Sequence, residues 1–528
     1  MTTRFTDHII KARKLYEEVF MKKSIKRLLI IISVITASVT MFACSSAGSL
    51  GGVRENAGIH VAPGGLSKDD AGNAENENEY PAGKMTAGAH NDNLYYDLYK
   101  SLFYKGQTAT ENGKFEAFSE NNKGLDSLNR VKVTVRSGTK PVCNAPVKFV
   151  GNNEKVFLAQ TDSNGVCYIF GNVSGGAVTA KCGEYEKTVQ ITAEDEEIEI
   201  PLDGNREKGK VIELMFLVDV TGSMGDEINY LKAELQDVVR GISESFQGVS
   251  LRLAMLFYRD NGDNEKFAYA DFLDVTDANN LKQQQSAINK QRAEGGGDYP
   301  EAVDEALELA VSKQWSENST KIVFHLLDAP IHNGSVYENR FSAAVYKAAE
   351  KGIRICPVLA SGADLLTEYI ERQAAVLTGG TFAFITDHSG IGNSHYDPEI
   401  PNVVIEKLNA LMIRLVKGYY TGTFERAVSY DDKEMFFIDA SEVESGFIKY
   451  GAKRCYAEGD TVTIVTEKAD RKIKLYVDGV FACEGEEFED DIYKSTEGSN
   501  IFLKFTFKMP ARDVKITFEY EVLSEVIE

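Results

Sequence analysis

The chain has 528 residues, 43% of them hydrophobic and 26% charged, which is enough for three or four globular domains with ordinary cores. Its net charge is −22, although the first 43 residues hold more Lys and Arg than Asp and Glu, so the acidity sits in the body of the chain. An acidic body of this kind is repelled by nucleic acid and by anionic lipid surfaces, which excludes both as charge-driven partners. None of the seven cysteines forms a Cys-x-x-Cys pair, so zinc ribbons and thioredoxin-type redox sites are excluded as well.

Taken in chain order, Lys22, Lys23, Lys26 and Arg27 precede an apolar run from Leu28 to Ala43 that meets Cys44-Ser45-Ser46. A basic start, a short apolar run and small residues at its end predict an export signal over 1–43 rather than a membrane span, with Met21 a more natural start than Met1. The segment Met41-Phe42-Ala43-Cys44 resembles a bacterial lipobox. That implies lipidation of Cys44 and an exported lipoprotein, anchored in the membrane at the cell envelope or surface. Residues 44–93, rich in Gly, Ser, Asn and Glu, predict a flexible tether. Leu94, Leu98 and Leu102, interspersed with aromatics, predict a short amphipathic helix within 94–127.

Residues 128–203 alternate apolar and polar positions: Val131, Val133 and Val135, then Val147 and Phe149, then Val166, Tyr168 and Phe170. Turn clusters between them predict a β-sandwich. The segments around Cys143 and Cys167 resemble carboxypeptidase-regulatory-like or Cna-B-like Ig modules, which implies a spacer. Asp162 and Asn164 read as an Asx turn rather than a Ca²⁺ site.

Residues 209–418 alternate strands and helices, which predicts an α/β domain with a doubly wound parallel sheet. Val211–Val218 reads as a central strand. The helix after Gly225 places Ile228, Leu231, Leu235, Val238 and Ile242 on one stripe. Leu251–Phe257, Ile322–Leu327, Ile353–Leu359 and Phe382–Ile385 are further strands, and Val403–Val416 is the last helix. Where the first strand ends, Asp219, Thr221 and Ser223 fall within five residues. One carboxylate and two hydroxyls there offer half the shell of a hard divalent cation. Glu294-Gly-Gly-Gly-Asp-Tyr-Pro-Glu301 opens a helix, and His325-Leu-Leu-Asp-Ala-Pro330 ends another strand, so Asp298 and Asp328 can reach the same edge.

These motifs, with the run Phe257 to Asp263, resemble the von Willebrand factor A-type domain and its metal-ion-dependent adhesion site, in the bacterial and alpha-kinase-associated branch. The resemblance implies a site of Asp219, Thr221, Ser223, Asp298 and Asp328 for Mg²⁺, or Mn²⁺ or Ca²⁺, with Glu301 the alternative second-loop ligand. With three acids against one cation, the metal should bind firmly but pull weakly on an incoming carboxylate. Arg259 to Asp263 reads as a solvated turn. No His-x-x-x-His, kinase motif set or Gly-x-Ser-x-Gly occurs, so no enzyme is expected.

From 419 to 528 the chain is β-rich, with strands at Thr461–Val465, Ile473–Val477, Phe502–Phe507 and Val514–Tyr520. The turn Met509-Pro510-Ala511 between the last two resembles InlB B-type repeats. Export permits disulfides, and Cys455 with Cys483 is a candidate pair; free, buried cysteines fit equally. The whole reads as a multidomain, non-enzymatic protein that mediates protein or matrix adhesion through its metal face. A structural subunit of an envelope assembly with a purely structural metal, or an accessory module for a separate enzyme, is the alternative.

Overall fold

The computed structural model describes residues 82–104, 113–119, 125–171, 175–391, 394–440, 442–443, 448–450, 455–467, 472–489 and 501–520. The expected export signal, Cys44 and most of the expected tether lie outside them. The described chain starts with strand β1 (Thr86–His90) and two short helices, α1 (Tyr96–Ser101) and α2 (Glu116–Ser119). Eight strands follow: β2 (Arg130–Ser137), β3 (Lys140–Pro141), β4 (Pro146–Gly151), β5 (Val156–Gln160), β6 (Val166–Phe170), β7 (Gly175–Cys182), β8 (Tyr185–Thr192) and β9 (Glu197–Pro201). They form two four-stranded sheets, one of β3, β2, β6 and β9, the other ordered β5-β4-β7-β8. Val131, Val133, Val135, Val147 and Phe149 point inward, at the spacing of two that half-buried strands require.

The α/β layer comprises β10 (Val211–Asp219), α3 (Ile228–Ser245), β11 (Ser250–Tyr258), β12 (Phe267–Asp274), α4 (Ala278–Asn289), α5 (Val303–Ser312), β13 (Thr320–Leu327), α6 (Ser335–Lys351), β14 (Ile353–Leu359), α7 (Leu365–Thr378), β15 (Phe382–Thr386), β16 (Glu406–Lys407) and α8 (Leu408–Thr421). The sheet order is β12-β11-β10-β13-β14-β15-β1-β16. The strands from β11 to β15 run parallel, and β12 and β1 pair antiparallel at either side. β13 and β14 are buried along their whole length, as strands covered on both faces must be. The predicted stripe of α3 is the face it buries.

One buried acid interrupts the central strand. Glu213 on β10 accepts hydrogen bonds from the Ser316 N–H (2.8 Å) and the hydroxyls of Ser316 (2.9 Å) and Ser319 (2.7 Å), and pairs with Arg252. Glu213→Gln removes the charge these donors serve. It should cost about 2 kcal/mol, read as a lower urea midpoint with an unchanged slope.

Two expectations change. Residues 86–90, assigned by sequence to the tether, are a sheet strand, with Thr86 opposite Thr386 and His90 opposite Phe382. Gly88 is required there, because a Cβ would meet the Phe384 ring at 2.6 Å and Val403 at 2.7 Å. Just upstream, buried Glu234 of α3 accepts the N–H groups of Gly83, Lys84 and Met85 at 3.0, 3.0 and 3.1 Å, so successive backbone donors hold the incoming chain on a carboxylate. The β-strands of 130–201 are also not a free-standing spacer. Phe157 stacks edge-on against Tyr346 of α6, Gln160 Nε2 donates to the Glu350 carbonyl at 3.1 Å, and the Ser163 hydroxyl donates to the Tyr419 carbonyl at 2.7 Å. Their core is continuous with one face of the α/β sheet.

α7 is buried from Thr367 to Thr378. Phe103, Phe115 and Phe118 pack round its Tyr369, so the N-terminal segment covers the side facing away from the sheet. Beyond α8, Thr461–Glu467, Ile473–Val477, Ile501–Lys508 and Val514–Tyr520 lie in two further four-stranded sheets round Val462, Ile464, Leu475, Phe505 and Ile516. Met509 of the Met-Pro-Ala turn is buried in that core. Cys455 and Cys483 are not bridged: both thiols are free. The reason is placement. Cys455 donates to the Val403 carbonyl at 3.2 Å, against the α/β domain, whereas Cys483 sits on an edge strand, Val480–Glu484.

Candidate metal centre

Parallel register brings the carboxyl ends of β10, β11 and β13 to one edge. Asp219, the last residue of β10, lies level with Tyr258, the last of β11, and Val218 lies level with Leu326 of β13, two residues before Asp328. The chain after Asp219 turns back on it at once. Thr221 donates its N–H (2.9 Å) and hydroxyl (2.7 Å) to Asp219 Oδ1, and the Thr221 and Ser223 hydroxyls are 3.1 Å apart. A single 3₁₀ turn, Gly222–Asp226, then delivers the chain to α3. Asp219, Thr221 and Asp328 are buried, and Ser223 is exposed.

The second loop places its two acids differently. Asp298, the first choice from sequence, is exposed, as Ser223 is. Glu301, the alternative, is only 3% exposed. Its N–H donates to the Pro330 carbonyl at 3.0 Å and it bridges to Ile331, which fixes it against the Asp328 loop. Gly295 and Gly296 adopt φ of +82° and +75°, open to glycine at no cost. A Cβ on Gly296 would come within 2.9 Å of Glu301 Oε1 and 3.4 Å of Thr221 Cβ, so this glycine lets the acid and the first loop meet.

A further residue was passed over. The segment read as a solvated turn carries Asp260, 4% exposed, whose Oδ1 lies 2.7 Å from His332 Nε2. Arg259 beside it is equally buried. Its guanidinium donates to the carbonyls of Glu294, Glu265 and Arg292 at 3.0, 3.2 and 3.0 Å and pins the second loop. The available signal was position: Asp260 follows the end of β11, adjacent to β10.

The acids repel one another. Burial, then the neighbouring charge of Asp328, raises the Asp219 carboxyl above the usual range. Burial likewise raises Asp328, against the Ser223 hydroxyl that holds it down. Burial and the charges of Asp219, Asp260 and Asp328 push Glu301 up to about 9. Asp219 Oδ2, Glu301 Oε2 and both oxygens of Asp328 are buried and lack a hydrogen bond of ordinary geometry, although the Ser223 hydroxyl lies near Asp328. Buried polar atoms are ordinarily satisfied, and four such oxygens at one edge are what a bound cation, a proton or ordered water would serve. The donors are all oxygen, which suits Mg²⁺, Mn²⁺ or Ca²⁺ rather than a thiophilic metal. Among the described residues no three His, Cys, Asp or Glu side chains form a preassembled cage. The fit therefore depends on the hydroxyls of Thr221 and Ser223 completing the set.

Residues 213–376 match the family model of the von Willebrand factor A domain, so the chain carries such a domain within its α/β layer. A 155-residue stretch is 27% identical to the alpha-protein kinase vwkA of Dictyostelium discoideum, over 29% of this chain. The chain spans about a quarter of that relative's length, 24%. Among solved structures it is similar to the pilus adhesin SpaC from Lactobacillus rhamnosus GG in its open conformation, with a TM-score of 0.28 and 10% identity over 66% of this chain and 40% of that one. It is also similar to the conserved hypothetical protein BatB from Bacteroides thetaiotaomicron, with a TM-score of 0.25 and 14% identity over 33% of this chain and 89% of that one.

Proposed function

We propose that the von Willebrand factor A domain of this chain binds a divalent cation, Mg²⁺ in the first place, and uses that face to hold a protein or matrix partner without catalysis. Asp219, Glu301 and Asp328 would supply carboxylate oxygens, and Thr221 and Ser223 hydroxyls. The cation would supply the charge that lets the three loops close on one another. The observation that carries this reading is the set of orphaned, buried carboxylate oxygens at one strand-end edge. The N-terminal signal and Cys44 support display of this face from a membrane at the cell envelope or surface.

A second reading has its own support. Asp219, Asp328 and Glu301 are 0%, 1% and 3% exposed, which suits a cation that locks loops in a scaffold as well as one that meets a partner. A pull-down from envelope extract, with and without EDTA, separates the two. The adhesion reading expects a partner that is lost with chelator and with Asp219→Ala. Retention under both conditions would transfer the function to the scaffold reading.

A further inference from the structure

We infer that the partner held at this edge is basic: a protein segment presenting Lys or Arg, read by Asp298 and Tyr299 on the rim rather than by a carboxylate bound to the cation. This rests on the cation binding proposed above and names the chemistry of its partner.

The inner shell argues against an acidic partner. With a divalent cation bound, buried Asp219, Glu301 and Asp328 would set three formal negative charges against it, and buried Asp260 would add a fourth beside them. Their orphaned oxygens, with the two hydroxyls, can fill most of an oxygen shell from within the chain. A partner's carboxylate would bring another like charge into a site with little solvent to screen it.

The rim argues for a cation. Asp298 is exposed, and so is the adjoining Tyr299, at 44%. The Tyr299 hydroxyl is anchored 3.2 Å from the Gly362 carbonyl, which steadies the ring. An exposed carboxylate beside an exposed aromatic face is the pairing that attracts ammonium and guanidinium groups. Glu294 and Glu265 on the same edge are exposed too. Two of the nearby bases are committed: Arg259 is buried on three carbonyls and lies 3.7 Å from Glu294, and Lys266 is paired with Glu305.

The test uses the full chain in Mg²⁺ with labelled decalysine and decaglutamate peptides as probes, read by fluorescence anisotropy. Decalysine should bind, and Asp298→Lys combined with Tyr299→Ala should weaken it about tenfold. Glu184→Lys with Glu186→Lys, on the sandwich sheet away from the edge, should leave binding unchanged. Decaglutamate should not bind. No decalysine binding, equal losses in both charge-reversed variants, or Mg²⁺-dependent decaglutamate binding would each overturn the inference. Thermal melts of the same samples with and without Mg²⁺ report separately on the cation. A flat melt sinks the cation reading, whereas a Mg²⁺ shift without decalysine binding sinks only the basic partner.

Discussion

Asp219→Asn is expected to do two opposite things: abolish stabilisation by Mg²⁺, and raise the melting temperature of the metal-free chain. Asparagine keeps an oxygen at the Oδ1 position, so the 2.9 and 2.7 Å hydrogen bonds from Thr221 survive and the loop keeps its shape. What disappears is one buried negative charge among mutually repelling acids, with its orphaned Oδ2. Without metal, that repulsion is a cost to the wild type, and removing it stabilises. With metal, the wild type gains about 2.7 kcal/mol at a hundredfold excess of Mg²⁺ over its dissociation constant. For a domain of this size that corresponds to roughly 5–10 °C in melting temperature. Calorimetry in EDTA and in Mg²⁺ reads both effects. A variant that still responds to Mg²⁺, or that melts lower than wild type in EDTA, would leave the acids with only a local structural role.

The parts of this site that could be read from sequence are those built within one turn. Asp219, Thr221 and Ser223 are separated by single residues, and the strand-end rule puts them at a ligand edge whatever the rest of the chain does. Asp328 follows from the same rule applied to β13. Telling which of Asp298 and Glu301 is buried needs the path of a glycine loop, and that path is set by contacts distant in sequence, above all the Glu301 N–H on the Pro330 carbonyl. Asp260 is buried by His332, 72 residues away, and looks like any Asp-Asn-Gly turn until that partner is placed. β1 escaped notice for a different reason. Ala87, Gly88 and Ala89 show no strong periodicity, and their burial comes from β15, β16 and α8 rather than from their own hydrophobicity. The packing of the 130–201 sheets on α6 was hidden likewise, because Phe157 and Tyr346 lie in segments that the sequence divides into separate domains and nothing local links them.

Arg372→Ala is expected to be the most destabilising single change in the α/β layer, at about 3–5 kcal/mol, read as a lower urea midpoint. Arg372 is 1% exposed on α7, and its guanidinium meets Asp92 by Nε (2.9 Å) and Nη2 and Glu368 by Nη1 (2.8 Å). Glu368 is further held by Lys114 at 2.9 Å and the Tyr396 hydroxyl at 2.9 Å, and Asp92 by His90 at 2.9 Å. Losing the arginine leaves Asp92 buried with only His90 against its charge, so Asp92→Asn added to Arg372→Ala should restore part of the loss. The same contact sets a pH limit. Burial alone would raise Asp92, but the Arg372 charge and the His90 hydrogen bond win and hold it at about 2, below its unfolded value of 3.8. The pair therefore contributes fully above pH 3.8, and its contribution is lost as pH falls from there through about 2. In Arg372→Ala the balance reverts to burial, so acid unfolding should begin roughly 1–3 pH units higher, followed by circular dichroism. Because Asp92 comes from the segment next to β1, a chain beginning at residue 94 should leave Arg372 short of a partner and lower the urea midpoint already at neutral pH. A truncated chain as stable as the full one would separate the N-terminal strand from the domain it completes.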